Sequence, residues 1–254
     1  QKVDVLLAPG LNTKRSSLCG RSFEYYSEDP YLSGKLAAGF IRGAQKQGVS
    51  ACAKHYAANA QELLRMHSDS VMDERTLREM YLTNFEIAIK EGKPGFVMTA
   101  YNRVNGVYAN ESRHLLGDIL RGEWGFDGAV VTDWGGSNSI VEGVREGMNL
   151  EMPAAGDDSP CQLVKAVKDG TIDEKIIDER VDQLLDFVLA EHKSGETSFD
   201  AAKQHQAAEA AAEKCLVLLK NDEHLLPLKK DARVAVIGEF AARSRYQGAG
   251  SSMV

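Results

Sequence analysis

The stretch GAVVTDWGG, residues 128–136, decides how the rest of the chain reads. A short apolar, β-branched run bounded by glycines has the pattern of a strand buried on both faces, as in a parallel sheet. It breaks at Thr132-Asp133 into a turn carrying Gly135 and Gly136, so a carboxylate sits where a strand leaves the sheet. Similar runs occur upstream at 3–8 (VDVLLA), 49–55 (VSACAKH) and 96–101 (FVMTAY), and downstream at 148–152 (MNLEM). Amphipathic stretches lie between them. Residues 31–47 follow an Asp-Pro start signal, and 112–123 open on Ser112 and stop before Gly125. Residues 73–91 space Leu77, Met80, Tyr81, Phe85 and Ala88 near a 3.6 period, and 173–191 take Asp173 as N-cap. Alternation of this kind predicts β/α units on a parallel sheet. The strands end in Lys54-His55, Tyr101-Asn102, Asp133-Trp134 and Glu151. A β/α (TIM-type) barrel gathers its active site at those C-terminal ends, and about five of its eight strands are readable, so the barrel is expected to be incomplete in this chain.

Residues 1–192 are expected to form the barrel portion. Residues 193–232 read as a linker, opening on KSGET, plus an alanine-rich helix at 201–220; residues 233–254 read as the start of an α/β sandwich domain whose first strand is VAVIG, 234–238. No internal repeat is visible. The composition, 43% hydrophobic and 26% charged over 254 residues, is that of a soluble globular protein. No run approaches the ~20 apolar residues of a membrane span. The net charge of -7 argues against a nucleic-acid partner, which needs a basic face. Cys19, Cys52, Cys161 and Cys215 are far apart and outside any CxxC pair, so neither a metal centre nor any other cofactor is expected. Free thiols suit a reducing compartment, and a cytoplasmic location is the expectation.

Each chemistry-bearing residue has a plainer reading. Asp133 alone could cap the helix that begins near Ser137. Lys54-His55 could be a surface lysine beside a core histidine, and Arg21, in a glycine- and aromatic-containing loop, could pair with Glu24. Arg65 could be a solvated charge and Tyr101 a core tyrosine with a satisfied hydroxyl. The placement of Lys54-His55, Tyr101 and Asp133 at strand ends favours a shared site.

Together these runs resemble the glycoside hydrolase family 3 β-glucosidases: APGLN, CGRSFEYYSEDPYLSG, KHYAAN, Arg65-Met66 leading to DERTLREMYL, MTAYNRVNG, GEWGFDGAVVTDWGG and LLKNDEHLLPL, in the family's order and spacing. The resemblance implies that Asp133 is the nucleophile of a retaining exo-β-glycosidase. Arg21, Lys54, His55 and Arg65 would line the subsite for the terminal glucose of a β-glucoside or cello-oligosaccharide. Met98 would border it, Tyr101 would stand beside the nucleophile, and Trp134 would lie against the sugar plane. Retaining glycosidases use two carboxyl groups about 5–5.5 Å apart, and nearby cations favour an ionised nucleophile. The resemblance implies that the acid/base is a Glu of the second domain; Glu239 does not match its position. The first part of the barrel, with an Asp that binds sugar hydroxyls, also has no counterpart, so the chain reads as a segment of a longer protein, inactive alone. Homo-oligomerisation is a further expectation. AQELLRM and Thr13-Lys14 depart from the family pattern at the rim of the site.

A β-xylosidase or broad-specificity β-glycosidase is the runner-up. A β-N-acetylglucosaminidase is disfavoured, since its KHFPGHG-like loop is replaced by KHYAANAQ. A non-catalytic sugar binder would not need a nucleophile. A phosphate-dependent aldolase using Lys54 as a Schiff-base amine would need a glycine-rich phosphate loop, which is not seen.

Overall fold

The structure, a computed structural model, describes residues 3–190 and 199–243. The chain divides into two compact units, Gln1–Ser194 and Gly195–Val254.

The first unit is built on a parallel sheet in the order β1 (Val5–Leu6), β2 (Ser50–Tyr56), β4 (Phe96–Thr99), β7 (Ala129–Val131). Its registers set Cys52 opposite Phe96, Lys54 opposite Met98, Phe96 opposite Ala129 and Met98 opposite Val131. Burial on both faces explains why these strands read as apolar runs rather than as alternation. A smaller sheet joins β3 (Asp69–Ser70), β5 (Arg103–Val104) and β6 (Val107–Tyr108).

The helices follow the sequence signals at their starts. Helix α1 (Pro30–Lys46) is capped by Asp29, which accepts from the Tyr31 and Leu32 N–H groups, with Pro30 in the first turn. Its buried face holds small residues, Ser33, Gly34, Ala37 and Ala38, and packs against α2, the helical stretch 74–92. Gly34 is required there: a Cβ would come 2.8 Å from Cβ of Ile87. Helix α3 (Arg113–Glu123), π-type along its length, is capped by Ser112, and α4 (Ile140–Glu146) by Ser139. Helices α5 (Asp158–Lys168) and α6 (Glu174–Leu189, capped by Asp173) complete the unit.

Several expectations are corrected. Helix α2 is not a uniform 3.6-residue helix: it widens to π-type hydrogen bonding over Leu77–Leu82 and Ala88–Gly92. The wider turn places Leu77 and Leu82, five apart, in the core and leaves Met80 exposed. The strand expected at 148–152 is reduced to one bridge between Val131 and Leu150. The Thr132 hydroxyl takes over, donating to the Met152 carbonyl at 3.2 Å and accepting from its N–H at 2.9 Å. In the second unit, α7 covers Ala201–Cys215 rather than 201–220. The expected strand 234–238 is not formed, and Val236 and Ile237 are exposed; among the described residues of that unit no other strand is present to pair with it. The expected linker opening, 193–197, and Glu191 lie outside the described residues.

One face of the main sheet packs Ala51, Ala53, Val97 and Val130 with Ile41, Phe85, Leu116 and Ile119 of the helices. The other joins Cys52, Met98 and Val131 to Leu7, Leu150, Leu184 and Phe187. A half-buried Arg121 ties the start of β7 to its neighbours. Its guanidinium donates to the Phe126, Gly128 and Gly147 carbonyls and to Oδ1 of Asn149, at 3.0–3.3 Å. Burial pushes it down to about 10.

Candidate active site

The C-terminal ends of β2, β4 and β7, with the loops 10–29 and 57–68, bring most of the expected residues together. Asp133 leaves β7 two residues after Val131 and is 8% exposed. It caps no helix: Ser139 caps α4, and Glu111 accepts the Asn138 and Ser139 N–H groups at 3.2 and 2.7 Å. One carboxylate oxygen, Oδ1, accepts from the Trp134 N–H at 2.8 Å. The other, Oδ2, is buried without a hydrogen-bond partner among the described residues and faces Nε2 of His55 at 3.4 Å. The turn is tight because Gly136 N–H bonds back to the Asp133 carbonyl at 2.8 Å; a Cβ on Gly136 would come 3.0 Å from that oxygen.

His55 is fixed from both sides. The Asn12 side chain accepts its N–H at 2.8 Å and donates to its carbonyl at 2.9 Å. The Tyr25 hydroxyl meets Nδ1 at 3.2 Å. Burial, reinforced by Arg21, Lys54 and Arg65, holds the imidazole well below its usual range, so His55 is neutral. Tyr25 is buried, and this pushes its phenol up, out of reach of ordinary pH.

The cations are paired rather than free. Glu24 binds Arg21 and also lies 3.6 Å from Nζ of Lys54. Burial lowers the Arg21 guanidinium, but the Glu24 contact and neighbouring groups more than offset this and raise it. Arg65 pairs with Glu62 at 2.8 Å and lies 4.6 Å above the Tyr101 ring. Glu62 is raised by its own burial against the opposing pull of Arg65 and Arg21. Tyr101 is pushed up to about 12 by burial and by the Asp133 carboxylate beside it; its proton is committed to the Trp134 carbonyl at 2.8 Å. Trp134 is 43% exposed. Met98 is buried on β4 opposite Lys54, packed with Cys52 and Val131.

Residues 1–187 match the model of the glycosyl hydrolase family 3 N-terminal domain, and 216–254 match that of its C-terminal domain. The chain belongs to glycosyl hydrolase family 3. Thermostable beta-glucosidase B of Acetivibrio thermocellus is 49% identical over 256 residues, covering 100% of this chain and 34% of that protein. The exo-alpha-(1->6)-L-arabinopyranosidase of Bifidobacterium longum is 42% identical, over 100% of this chain and 35% of its own length. The structure of beta-glucosidase 3B from Thermotoga neapolitana in complex with alpha-D-glucose aligns with TM-score 0.93 at 41% identity, over 99% of this chain and 36% of that one. The chain therefore spans about a third of the length of the relatives it matches. Its first unit is part of the family 3 TIM-type barrel, and the sheet β1–β2–β4–β7 is the arc of that barrel among the described residues.

Three residues were not singled out by the sequence reading: Asn12, Tyr25 and Glu62. All fall in or beside the family runs APGLN, FEYYSEDP and KHYAAN, but nothing local marks them. Arg21 turns out to pair with Glu24, as its plainer reading had it, and Glu24 reaches Lys54 as well.

Proposed function

We propose that the family 3 protein containing this chain is a retaining exo-β-glucosidase acting on terminal non-reducing β-D-glucosyl residues. One observation carries the reading: Asp133 has one oxygen held by a backbone N–H and the other buried beside a neutral imidazole, with no hydrogen-bond partner among the described residues. A carboxylate oxygen with no hydrogen bond keeps its lone pairs available for attack.

In the first step Oδ2 of Asp133 bonds to the anomeric carbon as the bond to the leaving oxygen breaks, and a carboxylic acid gives that oxygen its proton. In the second, the resulting carboxylate takes a proton from water, the water oxygen bonds to the anomeric carbon and Asp133 leaves. The acid/base is a Glu of the C-terminal domain beyond residue 254, so residues 1–254 alone do not turn over. Lys54, Arg21 and Arg65 hold the sugar hydroxyls, His55 stands beside the Asp133 carboxylate, Trp134 covers a ring face, and Glu24 and Glu62 keep the cations in place.

A second reading, a pentopyranosidase, is favoured by the identity to the Bifidobacterium arabinopyranosidase over the whole chain. The test is turnover by the full-length protein of aryl β-D-glucoside, β-D-xyloside and α-L-arabinopyranoside, with the first-formed anomer followed by NMR. The glucoside should have the highest kcat/KM and release β-glucose first. Preferred cleavage of a pentopyranoside replaces the glucosidase reading, and α-glucose as first product removes the retaining mechanism.

A further inference from the structure

Asp133 Oδ2 is aligned by a group that is itself aligned. A neutral imidazole carries one proton, on either Nδ1 or Nε2, and the hydrogen bond made by one nitrogen decides what the other presents. At His55 the two nitrogens meet different partners: Nδ1 meets the Tyr25 hydroxyl at 3.2 Å, and Nε2 meets the Asp133 carboxylate at 3.4 Å. We propose that Tyr25 is a positioning residue: its hydroxyl donates to Nδ1, fixes His55 as the Nε2–H tautomer and so aims that N–H at Oδ2 of Asp133.

The geometry leaves the Tyr25 proton one destination, since Nδ1 of His55 is the hydrogen-bond partner of that hydroxyl among the described residues. The phenol ring is seated firmly. It is buried and stands edge-on to the imidazole at 75°, with centroids 6.2 Å apart. Gly10 lies against it so closely that a Cβ there would come 3.0 Å from its Cδ1 and Cε1. Asn12 holds the His55 backbone at both its N–H and its carbonyl, which fixes the point from which the imidazole projects. The opposite tautomer would set a nitrogen lone pair against the carboxylate. The Nε2–H form instead offers a donor to an acceptor-only group. Its strength is that of a long contact in the resting site, of the kind that tightens when the site is filled.

The catalytic consequence rests on the retaining-glycosidase reading; the tautomer does not. Both can be read in the full-length protein labelled with 15N-histidine, with the His55 signals assigned by their loss in His55→Gln. The wild type should show a pyridine-type Nδ1 and a protonated Nε2. Tyr25→Phe keeps the ring against Gly10, and should convert His55 to a mixture or to Nδ1–H while kcat/KM on an aryl β-glucoside falls about tenfold. A protonated Nδ1 in the wild type overturns the proposal with no variant needed. So does an unchanged tautomer in Tyr25→Phe. A wild type with the expected tautomer but no turnover of any glycoside supports the positioning of His55 and removes the glycosidase reading instead.

Discussion

Removing the Asn12 side chain tests whether the end of β2 is held as described. Asn12→Ala deletes two buried hydrogen bonds, 2.8 Å from the His55 N–H and 2.9 Å to its carbonyl, where both residues are at most 2% exposed. Water cannot replace them without entering the core. Each bond lost in this way costs about 1–2 kcal/mol, so the substitution should cost roughly 2–4 kcal/mol. That is a large fraction of the roughly 5–15 kcal/mol of a typical domain. At about 2–4 °C per kcal/mol for a domain of this size, the melting midpoint should fall by roughly 5–15 °C. His55 would also lose its fixed height above Asp133, and a displacement near 1 Å in such a site costs about a hundredfold in rate. Thermal melts of the full-length protein by circular dichroism, with kcat/KM on an aryl β-glucoside, give both readings. A midpoint within a degree of wild type, with unaltered kcat/KM, would refute the clamp.

Arg121→Met should destabilise by roughly 2–3 kcal/mol in urea titrations, because three backbone carbonyls and Asn149 lose a half-buried donor. Gly34→Ala forces a Cβ to 2.8 Å from Ile87 and 3.0 Å from the Asn84 carbonyl, and should cost about 1–3 kcal/mol by the same measurement, leaving the kinetics of the surviving enzyme unchanged. His55 links stability to pH. Its folded pKa lies well below the unfolded value of 6.5, so below 6.5 the unfolded chain takes up the proton first. Its contribution is present in full above 6.5 and is lost as pH falls toward the folded pKa, at no more than about 1.4 kcal/mol per pH unit. His55→Gln should flatten the fall in urea midpoint between pH 6.5 and 5; an unchanged slope would mean that His55 is not held neutral.

The sheet was legible because its strands are buried on both faces: SACAKHY, FVMT and AVV stand out as short apolar runs whatever surrounds them. The caps Asp29, Ser112 and Asp173 were legible because capping is local, a side chain bonding a backbone N–H two or three residues on. The widened turns of α2 were not. Leu77, Phe85 and Ala88 fit a 3.6 period, and only the exposure of Met80 and burial of Leu82 betray the wider turn. The strand at 148–152 has strand-like residues, but the Thr132 hydroxyl occupies the Met152 backbone groups that a ladder would use. At the site, residue types at strand ends pointed to Lys54, His55, Tyr101 and Asp133. What orients them was hidden, because Asn12 and Tyr25 act on His55 across 43 and 30 residues of chain. Such contacts carry no spacing signal.

The proposed covalent step puts the bond to the anomeric carbon on Oδ2 of Asp133. The most direct measurement is to treat the full-length protein with an activated 2-deoxy-2-fluoro-β-glucoside, digest it and sequence the modified peptide by mass spectrometry. The expected result is a single fluoroglucosyl adduct on Asp133, within GAVVTDWGG, and none in Asp133→Asn. An adduct on any other carboxylate, or full turnover by Asp133→Asn, would contradict it.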